Sequence, residues 1–185
     1  MYKYLFILLV FFSACIKQEK STLSQEISNW EFEHERGWYE AEVPGNNFSD
    51  LLNHDLISDP FYGTNEDSVQ WIAKENWIYR SKFSVLGNTL TKNNQILVFK
   101  GLDTYAKVYL NDSLLLVADN MFRKWEVDVK GILKKENTLL VKFDAISKIE
   151  KEKQTNLRYN LPGGDRVFTR KAGFHYGWDW GAKIT

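Results

Sequence analysis

An all-β fold, an antiparallel β-sandwich of the jelly-roll kind with one or two short helices, is what the sequence predicts. Three observations point to it. Short runs alternate apolar and polar residues with period two, as strands with one buried face do. Turn-forming residues separate these runs at short spacing, and two of the runs meet across Asn111-Asp112-Ser113, a hairpin signature. Aromatic residues make up 15% of the chain, with seven Trp, nine Tyr and twelve Phe, and aromatic-rich chains with few long helices are commonly all-β.

Trp30-Glu31-Phe32-Glu33-His34 alternates and reads as the first strand, and His34 at its end is expected to be a solvated side chain. Trp38 to Val43 reads as a second, ended by Pro44-Gly45. Phe48, Leu51, Leu52 and Leu56 recur at helical spacing, so Phe48 to His54 is expected to be a short helix whose leucines pack. Asp59-Pro60-Phe61-Tyr62-Gly63 is a turn-rich loop. Asn65 is expected to cap a helix reaching about Lys74 and burying Val69, Trp71 and Ile72.

Trp77, Tyr79, Ser81, Phe83 and Val85 share one face of a longer strand, and Ile96 to Phe99 form the next. Gly101 opens a run from Leu102 to Leu110 that turns at Asn111-Asp112 into Leu114 to Val117. Asn and Asp suit that turn because their short polar side chains tolerate left-handed backbone. Phe122 to Val127 reads as a strand, Asp128 to Leu133 as a helical turn, and Asn137 to Phe143 as the last well-patterned strand. Asp103 interrupts an apolar run, where an unpaired carboxylate is costly, so backbone N–H donors are expected around it. Lys148 to Lys153 alternates charge around Ile149 and reads as a solvated loop or frayed helix.

The first residues read as an address. Lys3 precedes an apolar run from Tyr4 to Phe12, too short to span a bilayer but suited to the core of a signal peptide. Cys15 is the only cysteine, so no intramolecular disulfide can form. Phe12-Ser13-Ala14-Cys15 resembles the bacterial lipobox, whose cysteine is acylated and becomes the mature N-terminus. That resemblance implies a lipid anchor at Cys15 and a place in the bacterial cell envelope, in the periplasm or at the outer membrane; a cleaved, secreted form is the alternative. Residues 1–14 are then a signal peptide, 15–26 a polar tether and 27–185 the domain. The 24 basic and 24 acidic residues balance, which argues against a nucleic-acid partner. Three scattered histidines and one cysteine offer no metal-ligand spacing, and no cofactor is expected.

Chemistry concentrates in the stretch from Arg170 to Gly181. Two indoles flank a carboxylate in Trp178-Asp179-Trp180, with glycines on either side. A sugar ring suits such a surface, because its C–H face lies on an aromatic plane while its hydroxyls donate to a carboxylate. In an arbitrary sequence the same residues would read as core indoles with Asp179 capping a turn.

Gly101-Leu102-Asp103-Thr104-Tyr105-Ala106 followed by Val108-Tyr109-Leu110-Asn111 resembles the signature of the N-terminal sugar-binding domain of glycoside hydrolase family 2. Val43-Pro44-Gly45, Asp59 to Gly63, Asn65-Glu66, Trp71-Ile72, Asn120-Met121-Phe122-Arg123 and Arg170-Lys171-Ala172 are similar to the β-mannosidase branch, in wording and order. Gly177-Trp178-Asp179-Trp180-Gly181 matches most closely. Ala182 departs from that branch, which usually has Pro there, and Asn111-Asp112 replaces the commoner Asn-Gly.

The resemblance implies a galactose-binding-domain-like sandwich, incomplete at its C-terminus, at the head of a retaining exo-β-mannosidase that removes terminal non-reducing β-D-mannose from oligosaccharides. Retention uses two carboxylates about 5–5.5 Å apart. In the family both are glutamates of a TIM barrel, and this chain ends at Thr185, before the Ig-like and barrel domains. No Glu here matches the catalytic motifs, the carboxylates from Glu31 to Glu152 read as solvated surface, and the chain alone is expected to be inactive. By position, Trp178 and Trp180 would shape an apolar wall of the mannose pocket, Asp179 would accept from sugar hydroxyls, and Arg170 and His175 would hold the loop. Three alternatives stand beside it: a stand-alone carbohydrate-binding lipoprotein, another family 2 glycosidase (β-galactosidase- or β-glucuronidase-like), and a purely structural sandwich.

Overall fold

Two antiparallel sheets organise a computed structural model that describes residues 23–35 and 37–185. Their strands are β1 (Trp30–His34), β2 (Gly37–Ala41), β3 (Trp77–Ser84), β4 (Ile96–Phe99), β5 (Tyr105–Leu110), β6 (Ser113–Asp119), β7 (Trp125–Asp128) and β8 (Glu136–Phe143). The larger sheet runs β2-β1-β3-β8-β5-β6, and β4 pairs with β7 in the smaller. Helices α1 (Asn47–Asn53), α2 (Asn65–Ser68) and α3 (Ile146–Thr155) complete the expected sandwich with its few helices.

Period-two alternation sends Phe32, Trp77, Tyr79, Ala106, Val108, Leu110, Leu139 and Val141 to the inner face of the larger sheet. Leu97, Phe99 and Trp125 of the smaller sheet, with Phe48 and Leu51 of α1, close over them. Fully burying side chains such as Phe32, Leu51 and Leu110 contributes about 1.5–3 kcal/mol each before conformational entropy is subtracted.

One carboxylate lies inside this core. Asp50 of α1 is 1% exposed and accepts hydrogen bonds from the Glu42 N–H (3.0 Å) and the Tyr79 hydroxyl (2.8 Å). Burial pushes its carboxyl above the ordinary range despite those bonds, and also raises the Tyr79 hydroxyl. Asp50, and Glu150 below, correct the expectation that all these carboxylates are solvated.

The structure departs from the sequence reading in other places. The helix expected from Asn65 to Lys74 is two pieces, α2 and a 3₁₀ turn over Ile72–Lys74. Thr64 holds the cap position, while the Asn65 amide donates to the Asp59 carbonyl at 2.9 Å. Bonds of i→i+3 type, such as Ile72 N–H to Val69 O at 3.1 Å, set Val69 and Ile72 on one buried side. β7 starts later than expected because Asn120 Oδ1 accepts from the Phe122 N–H at 2.9 Å, folding residues 120–123 into a turn. Likewise, Asp128 Oδ1 accepts from the Lys130 N–H at 2.9 Å, and a turn replaces the helical turn expected there. Lys148–Lys153 falls within the ordered α3.

The signal peptide and Cys15 lie outside the described residues. The last residues assigned to the tether are held: Gln25 donates to Ser84 O (2.8 Å) and accepts from the Leu86 N–H (3.0 Å). Among the described residues no helix is long and apolar enough to cross a membrane.

The β5–β6 connection is a two-residue turn in which Asn111 and Asp112 both adopt positive φ, 49° and 68°. Asn111 is fixed by its side chain, which donates to Ile132 O and Asn137 Oδ1 and accepts from the Thr138 N–H at 3.0 Å. Asp112 makes no comparable use of its Cβ, so its left-handed backbone is a cost that glycine would avoid. Asp112→Gly is expected to stabilise the fold by about 0.5–1 kcal/mol, read as a shift in denaturation midpoint at constant m-value. An unchanged or lower midpoint would contradict this account.

Candidate functional site

One edge of the larger sheet gathers the motif phrases. Tyr105 at the start of β5 pairs with Asp119 at the end of β6, and Ala106 pairs with Phe143 at the end of β8. Asn120, just past β6, forms a bridge with Arg170, and the Met121 N–H donates to Arg170 O at 3.0 Å. The Ala172 N–H reaches Met121 Sδ at 2.9 Å. On the other side, the Lys183 N–H donates to Glu66 Oε1 (2.9 Å) and the Gln70 amide to Lys183 O (2.8 Å). Phrases far apart in sequence, from Asp59 to Lys183, thus form one connected surface.

The segment at its centre is a 3₁₀ turn over Gly173–Tyr176, after which Gly177 takes φ 99° and redirects the chain. Trp178 and Gly181 then exchange both backbone hydrogen bonds, at 3.2 and 3.3 Å, which leaves Asp179 and Trp180 at the tip of a tight turn. A Cβ on Gly181 would lie 3.3 Å from Trp178 Cβ, so a larger residue would press on that indole. Trp178 is 60% exposed and Trp180 85%, with ring centroids 6.4 Å apart and planes at 72°. Neither indole is core. Phe61, Tyr62, Phe122 and Phe174, on the connected loops, are also exposed, an apolar display typical of an interaction surface.

Polar ties hold this segment to the sandwich. Lys171, whose side chain is 6% exposed, pairs with the Asp103 carboxylate, which also accepts from the Thr104 hydroxyl and lies 3.6 Å from His175 Nδ1. The backbone donors expected around Asp103 are thus replaced by side chains. The Tyr176 hydroxyl donates to Glu150, a buried carboxylate of α3, and burial raises the Tyr176 pKa well above the ordinary tyrosine value. The Thr185 hydroxyl donates to His175 O at 3.0 Å. Arg170 and His175 both take part through their backbone carbonyls, and the His175 ring lies beside Asp103 without a hydrogen bond to it.

Two clefts lie away from the turn. One, of about 700 Å³, is bordered by Leu52, Leu56, Asp59, Tyr62 and Asn65. The other, of about 410 Å³, includes Glu33, His34, Glu75, Trp71 and Trp77. His34, expected to be solvated, stacks on Trp77 at 6.1 Å and 11°. The Trp178-Asp179-Trp180 turn itself is convex: it can form one wall of a pocket, not an enclosure. Among the described residues no group of three His, Cys, Asp or Glu side chains is placed to hold a metal ion.

Two antiparallel sheets packed face to face, with exposed aromatics and a carboxylate on the loops at one end, define the class as an all-β sandwich domain. The chain belongs to the glycosyl hydrolase 2 galactose-binding domain-like family, which matches residues 26–185. It is 38% identical over 151 residues to β-mannosidase B of Thermothelomyces thermophilus, covering 78% of this chain and 17% of that one. It is 32% identical over 191 residues to β-mannosidase of Mus musculus, covering 96% and 21%. The β-D-mannosidase from Dictyoglomus thermophilum superposes with a TM-score of 0.82 at 43% identity, over 85% of this chain and 20% of that chain. An exo-chitosanase from Amycolatopsis orientalis, at 23% identity and a TM-score of 0.52 over 58% of this chain and 13% of that one, shares the fold. The chain spans about a fifth of the length of the curated relatives it matches.

Electrostatics add a pH dependence. Burial holds the His175 pKa below its ordinary value of 6.5; the Lys171 ammonium lowers it further and Asp103 opposes both. The fold therefore disfavours the protonated ring, and this part of the stability is present above the ordinary histidine range and lost as pH falls through it. Tm is expected to fall as pH drops from about 7 to about 5, with a shallower slope in His175→Gln. Identical slopes in the two proteins would show that His175 is not the group responsible.

Proposed function

We propose that this chain is the substrate-recognition N-terminal domain of a retaining exo-β-mannosidase, held at a bacterial envelope membrane through Cys15. The observation that carries the reading is the exposed Trp178-Asp179-Trp180 turn, in a domain whose relatives at 32–43% identity are named β-mannosidases. In this reading the terminal mannose lies with a C–H face on the indoles and its hydroxyls donate to Asp179. Once further domains close over the sugar, a desolvated carboxylate discriminates between epimers, because the wrong epimer leaves it unpaired.

The bond-breaking carboxylates are proposed to lie in catalytic domains beyond Thr185, as one nucleophile and one acid/base. Phe61, Tyr62, Phe122 and Phe174 form the apolar rim against which those domains pack. The convex turn fits this division of labour, since half a pocket is useful only when another unit supplies the rest.

Two experiments test the reading. In the complete protein, Asp179→Ala is expected to lower kcat/KM on an aryl β-mannoside about a hundredfold, with Tm nearly unchanged. An unchanged kcat/KM would make Asp179 a turn residue and nothing more. Cys15→Ser is expected to move the protein from the membrane fraction to the soluble fraction; retention in the membrane fraction would remove the lipid-anchor assignment.

A further inference from the structure

We propose that Asp103 is a positioning residue for the sugar-recognising turn, setting the placement of Trp178-Asp179-Trp180 without touching substrate itself. The proposal rests on reading that turn as a wall of the mannose pocket.

The turn cannot place itself. Its backbone bonds, between Trp178 and Gly181, close it internally and fix nothing relative to the sheets. On its far side Lys183 is bonded to Glu66 and Gln70; on its near side its position is inherited from the 3₁₀ turn over Gly173–Tyr176, where Lys171 and His175 face one carboxylate while Tyr176 bonds Glu150. Lys171 ion-pairs with Asp103 ahead of the 3₁₀ turn, and His175 Nδ1 lies 3.6 Å from the same carboxylate within it.

Asp103 is in turn referenced to the sheet. Leu102, Thr104 and Tyr105 around it are all buried, the Thr104 hydroxyl donates to it, and β5 begins two residues later in register with β6 and β8. The Asp103–Thr104 peptide is cis. The carboxylate is itself partly exposed, at 31%, yet the lysine side chain it holds is 6% exposed. A buried ammonium without its partner is strongly disfavoured, so Lys171 has one well-matched location. One acidic group thereby ties Lys171 to the most regular part of the fold, with the His175 ring packed beside it.

The test uses the complete protein with an aryl β-mannoside. Asp103→Asn keeps the shape and removes the charge. KM is expected to rise about tenfold or more, the scale of losses caused by slight misplacement of a binding group. Partial unfolding alone would lower apparent kcat and leave KM unchanged, which would overturn the proposal. In an Asp179→Ala background the same substitution should raise KM by a smaller factor than in the otherwise unaltered protein, because part of its effect passes through that residue. A full additive loss there would also overturn it.

A second readout needs no sugar. Exchange of the Met121 amide hydrogen, bonded to Arg170 O and so reporting how the segment is seated on the sandwich, is expected to quicken about tenfold in Asp103→Asn while the amides of β3 and β8 keep their protection. If Asp179→Ala leaves turnover intact, the mannose-wall reading fails, and amide exchange alone decides; an unchanged Met121 rate then sinks the positioning role. Should the single variant not fold, the doubly neutral Asp103→Asn with Lys171→Gln, which leaves no buried charge unmatched, carries the same comparisons.

Discussion

The pairing of β3 with β8 is the constraint on which the rest of the molecule depends. Their ladder runs unbroken from Trp77 opposite Phe143 to Ser84 opposite Glu136. A slip of one residue would turn Trp77, Tyr79, Leu139 and Val141 to the opposite face and empty the core. β1 is aligned by β3 and β5 by β8, so both flanks take their register from this central pair. The edge that bears the functional loops is placed by the same ladder, because the start of β3 and the end of β8 lie there beside the start of β5.

What the ladder does not hold is held by carboxylates. Asp50 ties α1 to β3 through Tyr79, Glu150 ties α3 to Tyr176, and Asp103 ties the residues after Arg170 to the start of β5. Each joins a segment outside the sheets to a neighbour far along the chain, where no backbone ladder is available. Such pairs contribute little net stability compared with apolar packing, yet leaving either partner alone is costly. They specify position more than they add stability.

This division explains what could be read from sequence. Strands are local patterns, so β1, β3 and β8 were legible from alternation, β4 from a short apolar run, and the Asn111-Asp112 hairpin from its turn residues. Capping and turn chemistry were less so: Asn65 was expected as a cap and proves to be engaged with Asp59, while Asn120 delays β7. The buried acids were not legible at all. Glu150 lies in a run of alternating charge that looks solvated, and only Tyr176, 26 residues later, reveals otherwise. The Trp-Asp-Trp phrase was legible as chemistry, but composition alone could not say whether its indoles face the core or solvent. Asp103 and Lys171, 68 residues apart, carried no local signal of their pairing.

The convexity of the Trp178-Asp179-Trp180 turn has a consequence for how this surface can change. Asp179 and Trp180 sit at a tip closed by backbone bonds between its two neighbours, and their side chains do not support the core. Replacing them changes the chemistry of an exposed surface while the sandwich is left intact. Fold and surface chemistry are thereby under separate control at two solvent-facing positions.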